Sequence, residues 1–243
     1  MTFRFKQFNV EDDQSSMRVG TDAILLGAWA DLSSAINILD AGTGCGVIAL
    51  MLAQRSTANI TAIDIHKDSV DQAILNFKSS PWKDRLKAIH ISCQEFGRTS
   101  EENFDLVISN PPFFIKSLKS PDPLKNMARH DDLLSSDELL EAVFNLFNKH
   151  RPSAVSHKSH SLIMVIPFSQ KFDFETKAHL FGLYLRKQLV ILPKPGKPAN
   201  RILLELSDQR PLTNDQAYLT LRNTDNSFSD DYRELTKEYY LNL

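Results

Sequence analysis

Short apolar runs alternate with segments of helical spacing along most of this 243-residue chain, and that alternation limits the folds open to it. The runs are INILDA (36–41), ITAIDI (60–65), KAIHIS (87–92), FDLVISN (104–110), SLIMVIP (161–167), QLVILP (188–193) and RILLEL (201–206). Between several of them lie GVIALMLAQR, HKDSVDQAILNFKSS and SSDELLEAVFNLFNKH, whose apolar residues recur at helical intervals. Asp68 and Ser135 or Ser136 are the expected N-caps of the last two. A βαβα order implies a largely parallel sheet with helices on both faces, and a run such as LIMVI suits burial on both sides. The turn-rich PKPGKPAN between the last two runs predicts an antiparallel hairpin at one edge of a seven-stranded α/β sheet. With 42% hydrophobic residues the length suits a single domain, 1–243.

Two cysteines, Cys45 and Cys93, have no metal-ligand spacing and suggest neither a disulfide framework nor a zinc site. The opening MTFRFKQF has no signal-peptide character, and no stretch is long and apolar enough to span a membrane. The expectation is a cytoplasmic protein, monomeric, with no membrane partner. A net charge of −2 conceals an asymmetry. Residues 149–201 hold ten Lys or Arg against Asp173 and Glu175, which is +8 and leaves −10 elsewhere. The charge is compatible with a basic face for a polyanion and equally with a solvated surface.

In open sheets of this kind ligands sit beyond the carboxyl ends of the strands. The first run ends in LDAGTGCGV, with Asp40 followed by Gly42, Gly44 and Gly46. The second ends on Asp64, 18 residues beyond Gly46, where a carboxylate could accept both hydroxyl hydrogens of a ribose. A dinucleotide fingerprint would need glycine where Val47 stands. The DxGxGxG loop resembles the S-adenosylmethionine (SAM) site of class I methyltransferases, which implies a Rossmann-like fold; NAD binding or a structural tight turn are the alternatives.

The fourth run ends on Asn110-Pro111-Pro112-Phe113. The two prolines stop the strand and stiffen the turn. The Asn110 side-chain oxygen and the Pro111 carbonyl are then two acceptors for the two N–H groups of an exocyclic amine, and Phe113 is placed to stack on its ring. NPPF resembles the motif of methyltransferases acting on planar amino groups: adenine N6, guanine N2 in ribosomal RNA, or the glutamine of release factors. The alternative is a plain strand terminus with Phe113 in the core.

FRFKQFNVEDDQSSMRVGTDAILLGAWA, ALMLAQR, SSPWKDRL, FDLVISNPPFF, NRILLEL and FSDDYRELTKEYYL together resemble the bacterial family that methylates N6 of the adenine 3′ of the anticodon, position 37, in valine tRNA. The resemblance runs from Phe3 nearly to Leu243. It implies SAM as donor, S-adenosylhomocysteine as product, and a tRNA partner. It also implies cofactor contacts from Asp40, Gly42, Gly44, Gly46, Asp64 and Asn110, and catalytic placement by Asn110, Pro111, Pro112 and Phe113. An N-terminal segment, 1–34, with Lys6, Arg18, Thr21 and Asp22, would cover the methionine end; Thr21 or Asp22 could instead cap a helix. Two positions depart from the family pattern: Phe113 replaces the usual Tyr, and Cys93 stands where an acid commonly binds the adenine amine, which leaves Gln94 or a backbone carbonyl to accept that bond. Lys116, Lys119, Lys125 and Arg129 after the motif, and Lys194, Lys197 and Arg201 around the hairpin, are the expected RNA contacts. His157 and His160 lack further ligands nearby, and no metal is expected. An RNA-binding module without catalysis is a further alternative, hinted at only by Cys93.

Overall fold

A computed structural model describes residues 2–111, 134–149 and 159–241. The chain opens with a small antiparallel pair, β1 (Thr2–Arg4) and β2 (Asn9–Glu11), followed by α1 (Thr21–Trp29). Then come β3 (Asn37–Ala41), α2 (Val47–Arg55), β4 (Asn59–Asp64), α3 (Lys67–Lys78), β5 (Leu86–His90), α4 (Cys93–Thr99) and β6 (Leu106–Ser109). After the undescribed 112–133 the chain resumes into α5 (Ser136–Lys149), β7 (Ser161–Pro167), α6 (Lys171–Leu180), β8 (Tyr184–Leu192), β9 (Arg201–Ser207), β10 (Asp215–Thr220) and α7 (Asp230–Thr236).

Eight strands make one mixed sheet in the order β10, β8, β9, β7, β6, β3, β4, β5. The run from β7 to β5 is parallel, and β9 lies antiparallel between β7 and β8. Alternate side chains of the central strands feed two cores. Ile38, Ile60, Ala62, Ile108 and Val165 pack under α1, α2, α3 and α7. Leu39, Ala41, Ile63, Val107 and Met164 pack under α4, α5 and α6. Burial on both faces explains why these strands read as continuous apolar runs.

The expected alternation is present, with differences at the sheet edge and at the start of α3, while the expected cap of α5 is found. An eighth strand, β10, pairs parallel with β8, so the β8–β9 hairpin is not the sheet edge. Four of the six residues of β10, Asp215–Tyr218, are exposed, so an apolar pattern could not reveal it. Asp68 lies inside the first turn of α3, which His66 caps without a side-chain bond. At α5 Ser135 is the cap: its Oγ accepts from the Glu138 N–H at 3.2 Å while Glu138 accepts from the Ser135 N–H at 2.8 Å, a reciprocal capping box.

Strand order reverses between β3 and β6, because β4 and β5 continue to one side and β7 to the other. Their carboxyl ends diverge there and open the crevice in which such sheets bind ligands.

Candidate functional site

A cavity of about 370 Å³ occupies that crevice, a volume in the range of small-molecule sites. The β3–α2 loop, the tip of β4, the start of α4, Asn110 and Pro111 line it, and Ser16, Met17 and Arg18 of the N-terminal segment border it.

The loop after β3 is folded back on β4. Gly42 and Thr43 donate to the Ile63 carbonyl at 2.9 and 3.0 Å, Gly44 donates to Asp64 Oδ2 at 2.8 Å, and Gly46 donates to the Thr43 carbonyl at 3.0 Å. Those four amides are already bonded, so the loop offers a ligand close approach more than free donors. Gly46, with φ of 84°, is glycine for packing: a Cβ there would meet the Phe77 ring at 2.5 Å. A Cβ on Gly44 would stand 3.2 Å from Ser15 Oγ, because the N-terminal segment crosses the loop at that point.

Two carboxylates serve different ends. Asp64 takes the Gly44 and His66 N–H groups at 2.8 and 2.9 Å, which fixes its orientation at the cavity wall and leaves lone pairs free. Asp40 is fully buried behind the loop and accepts from Thr43 Oγ1 at 2.6 Å. Burial pushes its carboxyl up to about 7, the Thr43 and Ala49 hydrogen bonds opposing and the Asp64 charge adding. Asp40 and Gly46 shape the loop from behind and do not line the cavity.

Gln94 lines the cavity, and near it on α5 Glu138 is held below its usual carboxylate range, burial opposing while the Ser135 N–H and hydroxyl and the Gln94 side chain favour the charged form, a proximity across α4 and α5 that sequence reasoning did not find. Burial pushes the Cys93 thiol beside it up to about 12. On the other wall Ser109 Oγ donates to the Ala41 carbonyl at 2.8 Å, which joins the ends of β6 and β3 and sets half-buried Asn110 at the opening.

The N-terminal segment is held by three polar side chains on one face of α3. Asn76 accepts from the Glu11 N–H at 3.0 Å and donates to the Glu11 and Cys45 carbonyls at 2.8 Å; the Gln14 N–H reaches Gln72 at 3.4 Å and the Ser16 N–H reaches Ser69 Oγ at 3.1 Å. The i, i+3, i+7 spacing of Ser69, Gln72 and Asn76 is the sequence signal for this fastening.

Other expected site residues lie elsewhere. Thr21 and Asp22 begin α1 and do not line the cavity, and Gly20, without a side chain, stands at the cap. Asp22 pairs with Arg201 Nε at 2.9 Å. Lys6 Nζ donates to the Lys237 carbonyl at 2.6 Å. His160 is bound to Asp208 at 2.8 Å at the opposite end of β7. Pro112, Phe113, Lys116, Lys119, Lys125, Arg129 and His157 lie outside the described residues. Among the described residues no group of three or more His, Cys, Asp or Glu is placed to hold a metal, and no helix is long and apolar enough to cross a membrane.

The family profile described as Methyltransferase small domain matches residues 16–155. A tRNA1(Val) (adenine(37)-N6)-methyltransferase from Phocaeicola vulgatus is 43% identical, with 99% of this chain and 98% of that one covered. The protein of the same name from Bacteroides fragilis is 40% identical over the same shares. A solved structure titled as a predicted O-methyltransferase from Agrobacterium tumefaciens superposes with a TM-score of 0.63 at 19% identity, covering 90% of this chain and 96% of that one, which is a likeness of fold. With a matching profile over more than half its length and full-length relatives at this identity, the chain belongs to the methyltransferase small domain family and, within it, to the tRNA1(Val) (adenine(37)-N6)-methyltransferases.

Proposed function

We propose that this protein transfers a methyl group from SAM to N6 of adenine 37 in valine tRNA, in the cytoplasm. The observation that carries the reading is that Asn110 and Pro111, at the tip of β6, open into the same cavity as the β3–α2 loop and Asp64.

The residues fit the cofactor. Asp64 has lone pairs left for a ribose diol once its two backbone bonds are counted. Gly42, where a Cβ would meet no protein atom, leaves room for the amino-acid end to approach the loop, and Arg18 is the only Lys or Arg among the described residues of the cavity wall, where it can take a carboxylate. Gln94, on the cavity wall, can turn its carbonyl to the adenine amine. Segment 1–34 serves as the cover on that side.

Bound there, SAM supplies a methyl group already activated on a sulfonium. Asn110 Oδ1 and the Pro111 carbonyl accept the two N–H groups of the target amine and aim its lone pair. No described side chain hydrogen-bonds the Asn110 amide, so it is available for this. Phe113 is assigned the stacking role on the base. Placement accounts for most of the rate, an effect worth up to roughly 7–11 kcal/mol in favourable systems. The released proton leaves through Asn110 or water, without a dedicated base.

The test is incubation with methyl-labelled SAM and unmodified RNA, then digestion and identification of the labelled nucleoside by mass. N6-methyladenosine in the tRNA fraction is the expected product; N2-methylguanosine, or label only in polypeptide, sinks the reading. Asn110→Ala should lower the transfer rate at least 100-fold and leave the affinity for S-adenosylhomocysteine within about threefold, because its role is to orient the amine.

A further inference from the structure

The rim that holds the cavity continues past it. Outward from β6 come the tips of β7, β9, β8 and β10, at about 4.8 Å per strand. The tip of β7 leads into Phe168, which is 38% exposed and whose N–H is bonded to the Asn200 carbonyl at 3.2 Å. Arg201 opens β9, but Asp22 neutralises it. The turn after β8 carries Lys194 and Lys197, neither in an ion pair with a described residue. Arg222 follows β10; its N–H meets the Pro193 carbonyl at 3.2 Å, and its guanidinium donates to the Asn226 carbonyl at 2.7 Å and lies 4.2 Å from the Phe228 ring, contacts that hold it in place without neutralising its charge. The acid nearest in sequence, Asp225, is occupied by the N–H and hydroxyl of Ser227.

At the opposite ends of the strands, among the described residues, Lys87 is paired with Glu102 at 2.7 Å, Lys149 with Glu101 at 3.6 Å and Arg186 with Glu205 at 2.9 Å, while Lys83 stands exposed before β5. What sets the cavity side apart is alignment: Lys194, Lys197 and Arg222 follow the exposed Phe168 and the target pocket along one row of strand tips. An aromatic beside the pocket followed by cations without an acid partner among the described residues matches the chemistry of an RNA strand, bases first and phosphates beyond.

We propose that this rim is a track for the RNA leading away from the target adenine, with one neighbouring base stacked on Phe168 and phosphates on Lys194, Lys197 and Arg222. From β6 to β10 is four strand spacings, about 19 Å. At 3.4 Å per stacked nucleotide that is roughly five or six nucleotides, the scale of an anticodon arm and well beyond a single base. Arg201, held by Asp22, is left out of the track. The inference rests on the RNA-methylating reading above.

The test is fluorescence anisotropy with a labelled anticodon-arm RNA at several salt concentrations. Lys194→Ala/Lys197→Ala should weaken binding at least tenfold and lower the salt slope by about 1.4–1.8, one increment of roughly 0.7–0.9 per phosphate lost. Arg222→Ala should lower the slope by about one further increment. Phe168→Ala should weaken binding about tenfold with the slope unchanged, since stacking releases no counterions. Lys83→Ala, an exposed cation before β5 at the opposite end of the sheet, should bind RNA as the parent does, and all variants should keep the parent's affinity for S-adenosylhomocysteine. Parent-like affinity and slope in the track variants, or equal weakening by Lys83→Ala, overturns the track while the labelled-nucleoside result stands. A parent that neither binds nor methylates RNA brings down both readings.

Discussion

Arg18 gains its importance from what the neighbouring amides are already doing. The loop N–H groups of Gly42, Thr43, Gly44 and Gly46 are bonded within the protein, so a ligand carboxylate arriving there needs another donor. Among the described residues Arg18 is the Lys or Arg on that wall. Arg18→Ala should therefore weaken S-adenosylhomocysteine about tenfold, the value of one charged hydrogen bond, while leaving 5′-methylthioadenosine, which lacks the amino-acid portion, unchanged. Titration calorimetry with the two ligands measures this, and equal loss for both would mean that Arg18 supports the segment and does not meet the carboxylate. At this scale the cavity loop was legible, because Gly42, Gly44 and Asp64 are set by the distance from a strand end to the next strand end. The ion pair of Asp22 was not: Arg201 is 179 residues from it. Nothing in a local pattern marks such pairs.

Among the elements, α3 does two jobs with one face. Ala73 and Phe77 pack against Gly46 at the start of α2, while Ser69, Gln72 and Asn76 take up backbone groups of the N-terminal segment. Asn76 is the central member, 4% exposed and satisfied on both its oxygen and its nitrogen. Asn76→Ala strands the Glu11 amide and the Glu11 and Cys45 carbonyls, each of which costs about 1–3 kcal/mol when buried without a partner. Water reaching the segment recovers part of that, so a loss of about 2–4 kcal/mol in chemical denaturation is expected, together with faster amide exchange over residues 9–19. Unchanged exchange there would show that the segment is held by its apolar contacts alone. The periodicity of α3 was readable, but its polar stripe looks in sequence like a solvated face; only the packed segment turns it inward. The eighth strand was missed for the opposite reason, since β10 contributes backbone pairing to the sheet and little apolar surface to the core.

Taken as a whole, the molecule closes on itself through its two ends. Phe5 bridges to Tyr240, the Lys6 N–H meets the Tyr239 carbonyl at 2.8 Å, and Phe3, Phe5 and Phe8 pack with Tyr239 and Tyr240 in one aromatic cluster. Tyr239 also carries the contact inward: it is 1% exposed, and its hydroxyl donates to the Met51 carbonyl of α2 at 3.1 Å. The segment that crosses the glycine loop is thus anchored on one side by α3 and on the other by the C-terminal residues, far from the cavity in sequence. Tyr239→Ala empties a large buried site and should cost about 3–5 kcal/mol. If the anchor also sets the cover over the cavity, the same variant will lose affinity for S-adenosylhomocysteine, while Tyr239→Phe, which keeps the ring and removes one hydroxyl bond worth about 1 kcal/mol, will not. Melting temperatures with and without ligand separate the two effects, because ligand adds stability only in proportion to its affinity for the folded state. A destabilised Tyr239→Ala with an undiminished ligand shift would mean that α3 alone positions the cover and that the joined termini serve stability only.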